Sequence, residues 1–382
     1  MLKIIDKSKC TGCHSCFSVC PKQCIKMTED REGFLYPTID EDKCVNCGLC
    51  EKACPIITPL EVTNKEAVAY SAISKDEDTR MKSSSGGIFT ELAKRVIEKD
   101  GVVFGAGFDC KMNVVHSYTT TKEGLEKFRG SKYVQSIIGD TYKQAKEFLD
   151  RGMLVYFSGT PCQIGGLYSY LNKEYDNLIT QDIICHGVPS KKIWNKHLEC
   201  RKKQIGADKV SSVAFKDKRT GWETYSVAIK FENGKEYASR SSKDNLMRAY
   251  LANLCLRPSC YNCKFKTKNR QSDITLADLW GAKSITPQLY DNKGTSLVII
   301  GSERGKMLFE EISNSLTYTE IDLDEAIKYN LSMIASPPMP KKRDSFMLSV
   351  EKEDFDKVVE RYCKPTLKQR IKRLIKKILK RK

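Results

Sequence analysis

The 382-residue sequence predicts two folded units of different class, a small α+β module followed by a larger α/β body, closed by a basic amphipathic helix. Three observations carry that prediction: a duplicated cysteine run before residue 55, an alternation of short apolar strands with helical segments from residue 67 onward, and a C-terminal stretch rich in Lys and Arg with no acid. The composition, 40% hydrophobic and 30% charged, is that of a globular chain and excludes a largely disordered one. No apolar run approaches the roughly 18–20 residues of a membrane span, and Met1 to Asp6 lack the apolar stretch of a secretory leader. A cytoplasmic protein is expected. In a reducing compartment 17 cysteines do not form a disulfide framework, so metal ligation or redox chemistry is their expected use.

The module, residues 1–58, is built on the repeat. Cys10, Cys13, Cys16 and Cys20-Pro21 recur 34 residues later as Cys44, Cys47, Cys50 and Cys54-Pro55, both reading C-x2-C-x2-C-x3-C-P. This is the bacterial spacing for 4Fe-4S clusters, in which the fourth Cys of each run ligates the other cluster. One cluster would use Cys10, Cys13, Cys16 and Cys54, the other Cys44, Cys47, Cys50 and Cys20. Structural zinc, the alternative, normally separates two CxxC pairs by a longer loop. Ile25 to Thr28 and Phe34 to Ile39 read as two strands joined by a polar turn, a ferredoxin-like hairpin. Cys24 falls outside the repeat and is expected to be inert.

The body is expected in two regions, 59–190 and 191–340. Ala67 to Ile73, Gly101 to Phe108, Val114 to Thr120, Met153 to Phe157 and Leu178 to Ile184 read as strands; helices are expected from Gly87 to Glu98, over Thr141 to Asp150 and over Ile164 to Leu171. Such alternation predicts a largely parallel sheet, with ligands at strand C-termini. Two loops fall there, Ser84-Ser85-Gly86-Gly87 and Ser158-Gly159-Thr160-Pro161-Cys162-Gln163. Their hydroxyls and amides at helix starts suit a phosphate, a ring or a carbonyl, or serve merely as helix caps. Cys255, Cys260 and Cys263 supply three thiols in C-x4-C-x2-C spacing for a third 4Fe-4S cluster, with Cys185 the expected fourth ligand and Cys162 its competitor. Zinc or core cysteines are the alternatives.

These segments, with Gly130 to Ser136, Cys185-His186-Gly187-Val188-Pro189-Ser190, Arg257-Pro258-Ser259-Cys260 and Ser272 to Gly281, together resemble the coenzyme F420 hydrogenase/dehydrogenase beta subunit family. The resemblance implies an α/β flavin-binding body holding FAD, with electrons passing between clusters and a flavin that exchanges hydride with a small-molecule acceptor. It implies that Ser84, Ser85, Gly86 and Gly87 contact flavin phosphate or ribityl groups, and that Gly159, Thr160, Pro161, Cys162 and Gln163 face the ring. Lys132 is the candidate cation beside the reduced flavin, and His186 and Cys162 are the further catalytic candidates; Asp278 is a candidate ligand contact. Nothing resembles a nickel or molybdenum site, so a partner protein or redox enzyme subunit is expected to supply or take electrons. The other reading is a non-catalytic electron-transfer adaptor, or a reductase of a non-F420 substrate.

Residues 341–382 are expected to be a linker and tail. Leu367, Ile371, Leu374, Ile375, Ile378 and Leu379 share one helical face among ten Lys or Arg between 364 and 382, a pattern for a helix lying on an anionic inner membrane surface. An acidic partner is the rival. The formal net charge of +17 falls to +7 without those ten cations, and no aromatic interleaves them, so no nucleic acid is expected.

Overall fold

The computed structural model describes residues 6–61 and 66–364. The amphipathic helix expected beyond residue 364 lies outside the described residues. In the N-terminal module each cysteine run leads into a short helix, Ser15–Val19 and Leu49–Lys52, entered through a left-handed residue, His14 (φ 66°) and Gly48 (φ 74°). Between them β1 (Ile25–Glu29) and β2 (Leu35–Ile39) form the expected antiparallel hairpin, with Ile25 opposite Ile39. The module's apolar core is small, centred on Cys16, Cys24 and Ile25.

The body contributes β3 (Val68–Ser74), β4 (Val102–Phe108), β5 (Val114–Thr119), β6 (Val155–Gly159), β7 (Leu178–Ile183), β8 (Val210–Asp217), β9 (Ser226–Phe231), β10 (Glu236–Arg240), β11 (Ile274–Asp278), β12 (Ser296–Ile300) and β13 (Leu316–Ile321). Eight of these form one sheet in the order β13-β3-β12-β11-β7-β6-β4-β5. Three of its pairings are parallel, β11 with β7, β7 with β6 and β6 with β4; the others are antiparallel. The expected largely parallel sheet is therefore corrected to a mixed one. β5 returns from β4 as a hairpin, and β12 and β13 flank β3 in the opposite sense. Apolar periodicity marks a strand without giving its direction.

Even so, β3, β4, β6, β7 and β11 run the same way, so their C-terminal ends share one edge. Alternation divides the sheet's two faces. Phe104, Val155, Phe157 and Leu178 pack beneath the helices Thr141–Asp150 and Pro161–Leu171, whereas Val103, Tyr156 and Ile179 pack beneath Ile88–Glu98 and Glu303–Glu311.

A second, three-stranded sheet, β10-β9-β8, packs with the helices Lys191–Ile205 and Asn245–Leu251. The stretch from residue 341 is no linker: the helices Arg343–Lys352 and Phe355–Tyr362 complete this core through Phe346, Val350, Phe355, Val358 and Val359. Strands β11 to β13, from the second of the two regions, join the sheet begun by β3 to β7. Among the described residues no helix is long and apolar enough to cross a membrane.

Candidate functional site

The shared strand edge opens on a cavity of about 650 Å³. Ser84, Ser85 and Gly87 line it, between the helices Glu77–Lys82 and Ile88–Glu98. Gly86 does not; a Cβ there would collide with the Ala72 carbonyl, and its N–H donates to Ser296 Oγ at 2.9 Å. Gly86 thus lets the loop lie against the sheet edge. Ser84 Oγ accepts the Ser131 N–H at 2.7 Å, tying this loop to the segment that carries Arg129 and Lys132.

Arg129 lines the cavity with a side chain only 9% exposed. Its Nη2 pairs with Glu126 at 2.7 Å, while Nε and Nη1 are buried without a partner. Lys132 Nζ donates to the carbonyls of Lys127 and Arg129, 3.0 Å each, and among the described residues no carboxylate lies within ion-pair distance of it. Burial pulls its pKa down to about 7. Lys132, without a carboxylate partner, and the two unpartnered nitrogens of Arg129 stand beside serine hydroxyls as the donor set an anionic ligand requires.

β6 delivers the second loop. Pro161 opens the helix Pro161–Leu171 at a position where no amide donor is needed. Gln163, which lines the cavity, spends its amide on the loop: Oε1 accepts the Thr160 N–H at 2.9 Å and Nε2 donates to Ser136 Oγ at 2.9 Å. Gly159 and Thr160 line the cavity beside it. Asp278 also lines it, with both oxygens engaged, by Lys216 Nζ at 2.6 Å and by Trp222 Nε1 at 2.8 Å. His186 Nε2 lies 2.7 Å from Asn253 Oδ1 and Nδ1 3.3 Å from Ser332 Oγ; burial lowers its pKa, and both ring nitrogens have partners.

Sequence reasoning missed Arg129, and it missed Trp280, which stacks on Trp222 (centroids 5.1 Å apart) at the cavity. His116 also lines the cavity, with Nδ1 unpartnered and a pKa pulled by burial to about 4. Arg129 abuts the Gly130 to Ser136 motif; that adjacency was the available signal.

The thiols fall into three sets. Cys10 and Cys54 lie near enough to Cys13 and Cys16 to oppose their ionisation, and burial, the larger cause, pushes Cys13 up to about 12. Thr11 Oγ1, Ser15 Oγ and Ser18 Oγ are buried there without partners, hydroxyls that cluster sulfides could accept from. Cys20, Cys44, Cys47 and Cys50 line a smaller cavity, and Cys24 joins them with its Sγ 3.3 Å from that of Cys20. Cys24 is thus a fifth thiol at this site rather than one apart from it.

Cys162, Cys185, Cys260 and Cys263 line the large cavity. Each of the first three is raised by burial, with further opposition from neighbours in the set. Cys255 is elsewhere, fully buried in the core of the second sheet, where the charges that reach it are those of Cys363 and Arg343. Among the described residues no three potential ligands converge on a single ion, the geometry of mononuclear zinc.

Family models for the coenzyme F420 hydrogenase/dehydrogenase beta subunit match the chain in two parts, the N-terminal part over residues 69–140 and the C terminus over 152–326. A 4Fe-4S dicluster domain matches residues 9–56. No curated protein matches. Among solved structures, a chain of the xenon-derivatised F420-reducing [NiFe] hydrogenase complex from Methanosarcina barkeri is similar at 18% identity and a TM-score of 0.47, over 77% of this chain and 90% of that one. The two beta-subunit matches take in both loops and the four cavity thiols: the chain belongs to the coenzyme F420 hydrogenase/dehydrogenase beta subunit family and carries a 4Fe-4S dicluster domain ahead of the family region.

Proposed function

We propose that the chain is an FAD-dependent iron-sulfur oxidoreductase that passes electrons between its clusters and FAD to reduce or oxidise a small acceptor, coenzyme F420 or an analogue. One observation carries the reading: Lys132 without a carboxylate partner, Arg129 with two unpartnered buried nitrogens, the serine-rich loop and four thiols from three separate segments line the same cavity. Arg129 Nε and Nη1, with Ser84 and Ser85, suit the phosphates of FAD, and Lys132 suits negative charge on its reduced ring. Bound there, FAD would supply the conversion between single electrons and hydride. Cys162, Cys185, Cys260 and Cys263 would hold a third 4Fe-4S cluster. Lys266, whose Nζ donates to the carbonyls of Cys185 and Ser332, sets a cation there that favours the ionised form of Cys185.

The helix Pro161–Leu171 supports an electron route. Cys162 stands at its start, and Gly166, one turn on, abuts Cys13, where an added Cβ would lie 2.9 Å from the Cys13 Cβ. A partner protein would exchange electrons through the module. Anaerobic reconstitution tests the reading: FAD and iron for three clusters should be retained, and Arg129→Gln should weaken FAD by about 10- to 100-fold, the loss of one charge-assisted hydrogen-bond set. A fully iron-loaded chain with no affinity for FAD would refute it. Turnover with F420, NAD(P)H and ferredoxin then identifies the acceptor. For the tail, the proposed anionic-membrane contact predicts liposome pelleting that is lost on deleting residues 364–382.

A further inference from the structure

We infer that Arg257 is the built-in counter-ion of the module's first cluster, the one served by Cys10, and that it sets that cluster's reduction potential while pinning the module to the cavity wall. Arg257 is 1% exposed. Its Nε donates to the Cys10 carbonyl at 2.8 Å and its Nη2 to the Leu35 carbonyl at 2.9 Å, with Cys10 Sγ 3.7 Å away. Nη1 donates to Gln135 Oε1 at 3.0 Å, and Gln135 Nε2 in turn donates to the Thr11 carbonyl at 2.9 Å. The guanidinium also lies over the Tyr36 ring, 4.3 Å from its centroid.

None of these partners carries a full negative charge. The other buried arginines differ: Arg80 pairs with Asp291, Arg201 with Asp356 and Arg343 with Glu32. For Arg257 no carboxylate is within ion-pair distance among the described residues. A buried cation requires a compensating charge, and the group at hand that can supply it is the cluster, whose thiolates give it net negative charge. Reduction adds one electron and deepens that charge, so the cation favours the reduced state and raises the potential. Arg257 also lines the large cavity, which places it between the first cluster and the site the electrons must reach. The inference rests on the dicluster domain and is independent of the FAD proposal.

The test is an EPR-monitored redox titration of the full chain, reconstituted anaerobically, as wild type, Arg257→Gln and Arg257→Lys. In Arg257→Gln the reduced-to-oxidised ratio of one cluster at fixed potential should fall at least tenfold, about 59 mV for a one-electron couple, while the remaining clusters keep theirs. Arg257→Lys, which retains the cation, should stay close to wild type. Should Arg257→Gln lose iron while Arg257→Lys keeps it, the need for the charge is upheld. Unchanged potentials in iron-replete Arg257→Gln, or equal shifts in both variants, would overturn the inference. So would iron loss from both with circular dichroism unchanged, since Arg257 would then be a structural pin.

Discussion

Lys132 depends for its chemistry on what shares its cavity. Burial holds its pKa at about 7, against roughly 10.4 for an unfolded lysine. Between those values the folded, flavin-free state binds fewer protons than the unfolded one, so stability rises with pH through that window. The penalty is full below about pH 7 and gone above the unfolded value. An anion beside Nζ raises the folded pKa again and shrinks that slope. Lys132→Met should therefore stabilise the flavin-free protein at pH 7 by about 1–3 kcal/mol and flatten its gain toward high pH. Lys218, also held at about 7 by burial and by the charge of Lys216, leaves a residual slope. The same variant should bind FAD at least tenfold more weakly. Thermal unfolding of both proteins from pH 7 to about 10 checks this, and parallel profiles would defeat it. Lys132 was legible because it sits inside a recognisable motif, whereas Arg129, just outside it, looks in the sequence like any surface arginine; only folding shows Nε and Nη1 buried and unpartnered.

At the scale of elements, the strands and helices that bound the cavity were legible because each pairs an apolar run with a loop signal at its end: the expected Thr141 to Asp150 helix is the observed one, and β3, β4 and β7 fall within a residue or two of expectation. The three-stranded sheet was overlooked although Asn233-Gly234, with Gly234 at φ 79°, marks the turn between β9 and β10. Strand direction was legible only in part: the strand–helix alternation gave the parallel run of β4, β6 and β7, whereas the antiparallel β5, β12 and β13 are settled by which strands meet. Helix Pro161–Leu171 makes a prediction of its own. Gly166→Ala would bring a methyl within 2.9 Å of both the Cys13 Cβ and the Tyr142 hydroxyl and 3.1 Å of Cys13 Sγ. Overpacking of this kind costs about 1–3 kcal/mol, and here it falls on the seat of the first cluster. Iron content should drop by one cluster, and the Tm of the body should change little. Full iron retention would show that the module has slack against the helix.

Across the whole molecule, the duplicated cysteine run could be read because its ligands are close in sequence, while the third set could be read only in part because it is assembled from three distant segments. Spacing grouped Cys255 with Cys260 and Cys263, but the chain between them is anchored to the Val188–Pro189 segment. Leu256 bridges Pro189, the Arg257 N–H donates to the Val188 carbonyl at 2.9 Å, and Cys255 is left pointing into the core beside Cys363. Cys162 reaches the set by another route, carried to the strand edge by β6 and turned into the cavity by Pro161. The two cysteines should therefore separate cleanly. Cys162→Ala should lose about a third of the iron, one cubane of three, and should uncouple FAD from reduction through the module even with FAD bound. Cys255→Ala should keep all the iron and the electron flow, and should instead lose roughly 1 kcal/mol of stability to the small cavity it leaves. Iron per chain, flavin bleaching by reduced ferredoxin and Tm measured together distinguish the two. Iron lost from Cys255→Ala and retained in Cys162→Ala would return Cys255 to the ligand set and dismantle the cavity-lining cluster.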